Sequence, residues 1–180
     1  TLGDDLLLLE GGNKLQAGAP LSVYQTPKTF AAANLMSDPG INTFTWSSLS
    51  DQAFAQQCQT ASGVSKRGGV RPEHLFFVAK SEFNAEECVG FDLQVSALET
   101  SGDETFVHGV VQASNLGFSD PRLSDTRFSD LGFSDTGLSD TGLRDQPSWV
   151  VRSPGMLNFS QGQVLLVAVQ KRDILAFGGR

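Results

Sequence analysis

The sequence predicts a mainly β protein: an antiparallel β-sandwich or jelly-roll-like barrel with one or two short helices and an insertion of five-residue period. Three observations carry this. Segment 88–97 alternates strictly, with Val89, Phe91, Leu93, Val95 and Ala97 on one side and Gly90, Asp92, Gln94 and Ser96 on the other. That period of two marks a half-buried strand. Short apolar runs recur between turn residues along the rest of the chain, as in proteins built from hairpins. Charged residues make up only 18% of the sequence, below the usual ~25%, which speaks against long charge-laced helices.

Taken in order, residues 1–28 read as an extended N-terminal arm. Leu6–Leu9 is expected as a short strand, Gly11-Gly12 breaks it, and Leu21–Gln25 is expected as another strand. Residues 29–180 read as a single β-rich domain carrying a repeat insertion at 116–145. Thr29–Met36 has the alanines of a short helix, closed by Asp38-Pro39-Gly40. Asn42–Ser47 places Phe44 and Trp46 on one face of a strand. Ser50-Asp51 offers an N-cap for a helix through Cys58, and 60–69 reads as a loop rich in Gly and Ser. Leu75–Ala79 reads as a buried strand. Segments 88–97 and 105–113 form a hairpin around Ser101-Gly102-Asp103. Trp149–Val151 is a further strand, and 163–169 is expected to pair with 174–177 as a second hairpin.

Residues 118–145 repeat one unit six times: an apolar residue, Ser or Arg, Asp, then two variable residues. The apolar positions are Phe118, Leu123, Phe128, Phe133, Leu138 and Leu143. Period five fits neither a helix nor a flat strand. It fits a four-sided β-solenoid coil, and Thr136-Gly137-Leu138-Ser139-Asp140 partly resembles the pentapeptide-repeat family. Six units are too few to bury a core alone, so a packed surface loop is the other reading. The aspartates match neither the nine-residue nor the twelve-residue calcium frame.

Chemistry is sparse. The net charge of −7 repels phosphate and argues against nucleic acid and against anionic membrane surfaces. No apolar run reaches the ~20 residues of a membrane span. The basic pairs, Lys66-Arg67 with Arg71 and Lys171-Arg172, read as solvated turns. His74 and His108 are the two histidines; His74 is expected exposed at a strand entry and His108 as a tolerated mid-strand polar residue. Neither lies near a cysteine in sequence, and no C-x-x-C knuckle suggests zinc. Segment 62–69 is Gly-rich but lacks the G-x-x-x-x-G-K-[ST] order of a phosphate loop. Cys58 and Cys88 allow one disulfide across a loop of about thirty residues, or two buried thiols in a reducing compartment.

The expectation is therefore a non-catalytic structural or accessory subunit of a larger assembly, without cofactor or metal. Its partners would be other protein subunits, with no nucleic acid and no direct membrane span. Leu6, Leu7, Leu8 and Leu9 of the arm and the six apolar repeat positions would contact the neighbours. A monomeric recognition module for a peptide or glycan is the alternative. Thr1 at the start favours a processed or exported protein (extracellular, virion or organelle lumen) over a cytoplasmic one, and Cys58 and Cys88 leave both compartments open.

Overall fold

A computed structural model describes residues 3–46, 67–111 and 148–177. Among these residues the elements are β1 (Leu6–Glu10), β2 (Asn13–Gly18), α1 (Pro20–Gln25), α2 (Phe30–Leu35), β3 (Asn42–Thr45), β4 (Arg67–Val70), β5 (Leu75–Phe77), β6 (Cys88–Ser101), β7 (Glu104–Val111), β8 (Ser148–Pro154), β9 (Val164–Gln170) and β10 (Leu175–Ala176). Short 3-10 turns cover Pro72–His74 and Lys171–Asp173. Every strand pairing is antiparallel. The protein is mainly β, with two short helices among the described residues, as its sequence predicts.

The main sheet has the order β5-β9-β6-β7-β8, and a smaller one has the order β10-β4-β3. The apolar face of β6 (Val89, Phe91, Leu93, Val95) meets Val107, Trp149, Val151, Val167 and Val169 of the same sheet and Phe44, Trp46 and Val70 of the smaller one. Aromatic rings fill the centre in tilted and edge-on pairs, Phe91 with Trp149 at 4.8 Å and Phe44 with Trp46 at 5.3 Å, the arrangements that ring quadrupoles prefer. Phe44 and Trp46 lie directly over Gly68, where an added Cβ would collide with both rings.

The two sheets are joined along β8 by a side chain. Asn42 Nδ2 donates to the Val150 carbonyl at 2.8 Å, and Val150 N–H donates to Asn42 Oδ1 at 2.7 Å. One amide thus satisfies both backbone groups of Val150, as a neighbouring strand would. The Trp149 indole N–H adds a bond to the Thr43 carbonyl at 3.2 Å.

Four expectations are corrected here. Leu21–Gln25 belongs to helix α1, not to a strand: Pro20 starts the helix, and Val23 is its buried side chain. Proline at that position has its fixed φ suited to a first turn and no N–H to waste. The Gly-rich loop ends earlier than expected, because Arg67–Val70 pairs with β3 as β4. The alternation of β6 slips between Val95 and Ala97, where the register against β7 shifts by one residue. Ala97 is therefore exposed, and Leu98 turns to the core instead. Finally, β10 does not fold back on β9; it pairs with β4, Leu175 opposite Gly69. The turn Lys171–Asp173 carries the chain from one sheet to the other.

The first residues form a small unit of their own. β1 and β2 make a hairpin that turns at Gly11 and Gly12, both with positive φ (54° and 80°). Leu8, Val23 and Ala32 form a core beneath it, flanked by Leu6, Leu15 and Met36. The Gln16 side chain closes the connection between the helices, donating to the Thr26 carbonyl at 3.1 Å and accepting from Lys28 N–H at 2.8 Å. Helix α2 is capped by Thr29, whose hydroxyl accepts from Ala32 N–H at 3.1 Å.

Two connections fall outside the described residues. One, 47–66, joins β3 to β4 and includes the helix expected at Ser50–Cys58. The other, 112–147, joins β7 to β8 and includes the repeat. Each is flanked by paired residues, Thr45 opposite Arg67 and Val110 opposite Ser148.

Candidate functional site at the joint between the hairpin-helix unit and the sheets

A dense polar constellation lies where the N-terminal unit meets the sheets. Its centre is Arg71, between β4 and the turn Pro72–His74, with only 1% of its surface exposed. Sequence reasoning took it for part of a solvated basic turn, and the structure corrects this. Its Nη2 donates to the Tyr24 carbonyl at 2.7 Å. Its Nη1 donates to the carbonyls of Ala33 at 3.3 Å and Met36 at 3.4 Å and to the Ser37 hydroxyl. The guanidinium also lies 3.9 Å over the Tyr24 ring. Its acceptors sit at the C-terminal ends of α1 and α2, where carbonyls lack helical partners and carry partial negative charge. Burial pulls the pKa of Arg71 below its ordinary value, opposed by Tyr24 and Glu73.

Tyr24 is held at both ends. Its hydroxyl donates to Glu73 Oε1 at 2.7 Å. Burial, then the hydrogen bond and negative charge of Glu73, push its pKa from 10.0 to about 12. His74 stands edge-on to the Tyr24 ring, centroids 6.4 Å apart, and is half-buried rather than exposed as expected. Its Nδ1 and the Glu73 Oε2 are shielded from solvent and without a hydrogen-bond partner. On the sheet side, Arg152 of β8 forms a forked pair with Glu104 of β7, with contacts of 2.8–3.0 Å. That hydrogen bond raises the pKa of Arg152 above its ordinary value.

The other residues singled out from sequence do not gather here. Leu8 is buried in the hairpin core with Leu6 against it, while Leu7 and Leu9 point outward, 54% and 55% exposed. Phe118, Leu123, Phe128, Phe133, Leu138 and Leu143 lie outside the described residues, as does Cys58. Cys88 is half-buried at the start of β6, and burial pushes its thiol pKa up. His108 Nε2 is 3.5 Å from Glu99 Oε1. Among the described residues, no three His, Cys, Asp or Glu side chains come together as a metal site, and no helix is long and apolar enough to cross a membrane.

The chain is similar to import ATP-binding proteins. It is 35% identical over 109 residues to the sn-glycerol-3-phosphate import ATP-binding protein UgpC of Rhodopseudomonas palustris (strain HaA2), covering 61% of this chain and 29% of that protein. The protein of the same name from strain BisB5 is 37% identical over 109 residues, with the same shares covered. The corresponding protein of Rhizobium etli is 33% identical over 110 residues, covering 60% of this chain and 28% of its own length. The chain thus spans less than a third of the curated relatives it matches. No protein-family model matches it.

This similarity corrects the expectation of a structural, non-enzymatic assembly subunit, and with it the alternative of a free peptide- or glycan-binding module. The relatives are named for ATP binding and import. The matched stretch is less than a third of these relatives, so the lack of a phosphate-loop motif in it does not speak to the nucleotide chemistry for which they are named. Arg71 could have been noticed: it stands between Val70 and Pro72, joining two apolar strand segments, an unfavourable place for a charge unless a socket awaits it. Nothing local in the sequence pairs it with residues 24–37.

Proposed function

We propose that this chain is the β-rich part of an ATP-binding protein that serves the import of a small phosphorylated polyol such as sn-glycerol 3-phosphate. The observation that carries this reading is the 33–37% identity over about 110 residues to import ATP-binding proteins of two bacterial genera. The partners on this reading are the other protein subunits of the importer. None of the 180 residues forms the G-x-x-x-x-G-K-[ST] order, so we assign the nucleotide phosphates to a part of the protein other than this β-rich body. The sheets then act as a rigid body attached to the nucleotide-binding part.

A chimera tests this. The matching stretch of the Rhodopseudomonas palustris protein is exchanged for that of this chain, and the hybrid is expressed in cells lacking their own copy. Uptake of labelled sn-glycerol 3-phosphate should persist at a substantial fraction of the parent rate. A hybrid that is folded and binds ATP but supports no uptake of this or related phosphorylated polyols would overturn the assignment.

A further inference from the structure

Arg71 belongs by its backbone to the sheets, yet among the described residues every hydrogen bond of its guanidinium crosses to residues 24–37 of the hairpin-helix unit. Its stacking partner, Tyr24, is in the same unit. That unit has its own apolar core, Leu8, Val23 and Ala32, separate from the core of the sheets. The apolar link between the two is small: Ala33, Ile41 and Phe177, with Leu175 beside them and Phe30 edge-on to Phe177 at 6.0 Å. Covalent continuity runs through Ser37–Gly40, where Asn34 Oδ1 accepts from Ile41 N–H at 3.1 Å and crowds the position a Gly40 side chain would take.

We propose that Arg71 is the latch of a joint, fixing the hairpin-helix unit against the sheets, and that releasing it frees the unit to move about Ser37–Gly40 while both cores stay folded. The partners of the charge are neutral oxygens and a ring, and among the described residues no carboxylate forms an ion pair with it. Each of these acceptors can exchange the guanidinium for water when the interface opens. A carboxylate locked to it would have to be pulled from a paired charge, a far costlier event in a buried site. Opening therefore costs less than unfolding, which is what a joint requires. The proposal stands apart from the import reading, since it concerns this chain alone.

Amide hydrogen exchange on the intact chain tests it. In Arg71→Met, which keeps the apolar stem, removes the guanidinium's crossing bonds and leaves the Tyr24–Glu73 bond in place, residues 20–37 should exchange at least about tenfold faster, and β6 and β7 at the parent rate. Arg71→Lys keeps the charge but cannot reach oxygens of both helices at once, and should show the same pattern more weakly. Equal loss of protection in both regions would make Arg71 an ordinary core support, and unchanged exchange would make it idle; either overturns the latch. Failure of both variants to fold would count against it in the same way, because the sheets would then depend on the contact.

Discussion

At the scale of single residues, the decisive side chains are polar ones in apolar surroundings. Tyr24 is the one tyrosine of the chain, so its titration can be read without ambiguity from phenolate absorbance. We expect a midpoint near 12 in the folded protein, about two units above an unfolded tyrosine. Because the folded value is the higher one, the stabilisation is fully present below pH 10 and is lost as pH rises from 10 to 12. Denaturant midpoints measured across that range should fall for the parent and fall less for Tyr24→Phe, which has no phenol to ionise. A normal midpoint near 10 would mean that the Glu73 bond and the burial are absent in solution. Asn42 makes a second case. Asn42→Ala leaves the N–H and carbonyl of Val150 unpaired in the seam, and we expect a loss of about 1–3 kcal/mol for each group that water cannot reach. Equilibrium unfolding would measure it. Neither role was legible beforehand: Asn42 reads as the polar half of an alternating strand, and only the fold brings it to Val150, 108 positions away.

At the scale of elements, legibility followed the strength of the local pattern. Strand β6 was readable because its apolar positions repeat with period two, and β7, β8 and β9 because they are short runs rich in β-branched and aromatic residues bounded by turns. The slip at Ser96 was not, since a bulge inserts one residue without altering composition. The destination of β10 was not readable either. A short strand after a tight polar turn usually returns to its neighbour, and here its two residues are claimed by the glycines of β4, Gly68 and Gly69. Gly109 on β7 shows how tightly such pairings can close: an added Cβ would lie 2.6 Å from the Gln94 carbonyl oxygen and 2.7 Å from Leu93 Cγ. Gly109→Ala should therefore destabilise by about 1–3 kcal/mol through overpacking, measurable as a lowered Tm. The long connection between β7 and β8 leads to the opposite expectation. Its ends are anchored by the pair Val110 and Ser148, so exchanging 112–147 for a short glycine-containing turn should leave the strand circular dichroism intact. Stability should stay within about 2 kcal/mol of the parent, the size of the loop-closure term. Collapse of the sheet on that exchange would show that the repeat is part of the core.

At the scale of the whole molecule, the class of fold was predictable from periodicity and low charge, whereas the function was not. The similarity to import ATP-binding proteins rests on about 110 aligned residues, and no single motif among them announces nucleotide chemistry. Two units with separate cores also give the protein two optical reporters. Trp46 and Trp149 are both buried in the sheets, while Tyr24 sits at the joint. Tryptophan emission should shift to longer wavelength only when the sheets unfold, and phenol absorbance should change when the joint opens. In Arg71→Met, we expect the tyrosine signal to change at a lower denaturant concentration than the tryptophan signal; coincident transitions would indicate one cooperative unit.

The Asn42 amide has a last consequence, for how this protein behaves among copies of itself. A strand at the rim of a sheet invites another backbone to dock, and that is how many β proteins aggregate. Here the outer hydrogen-bonding groups of Val150 are already occupied, and Pro154 at the far end of the same strand has no N–H to offer. One asparagine and one proline thereby deny a foothold to incoming chains, and at high concentration an Asn42→Ala solution should cloud before the parent does.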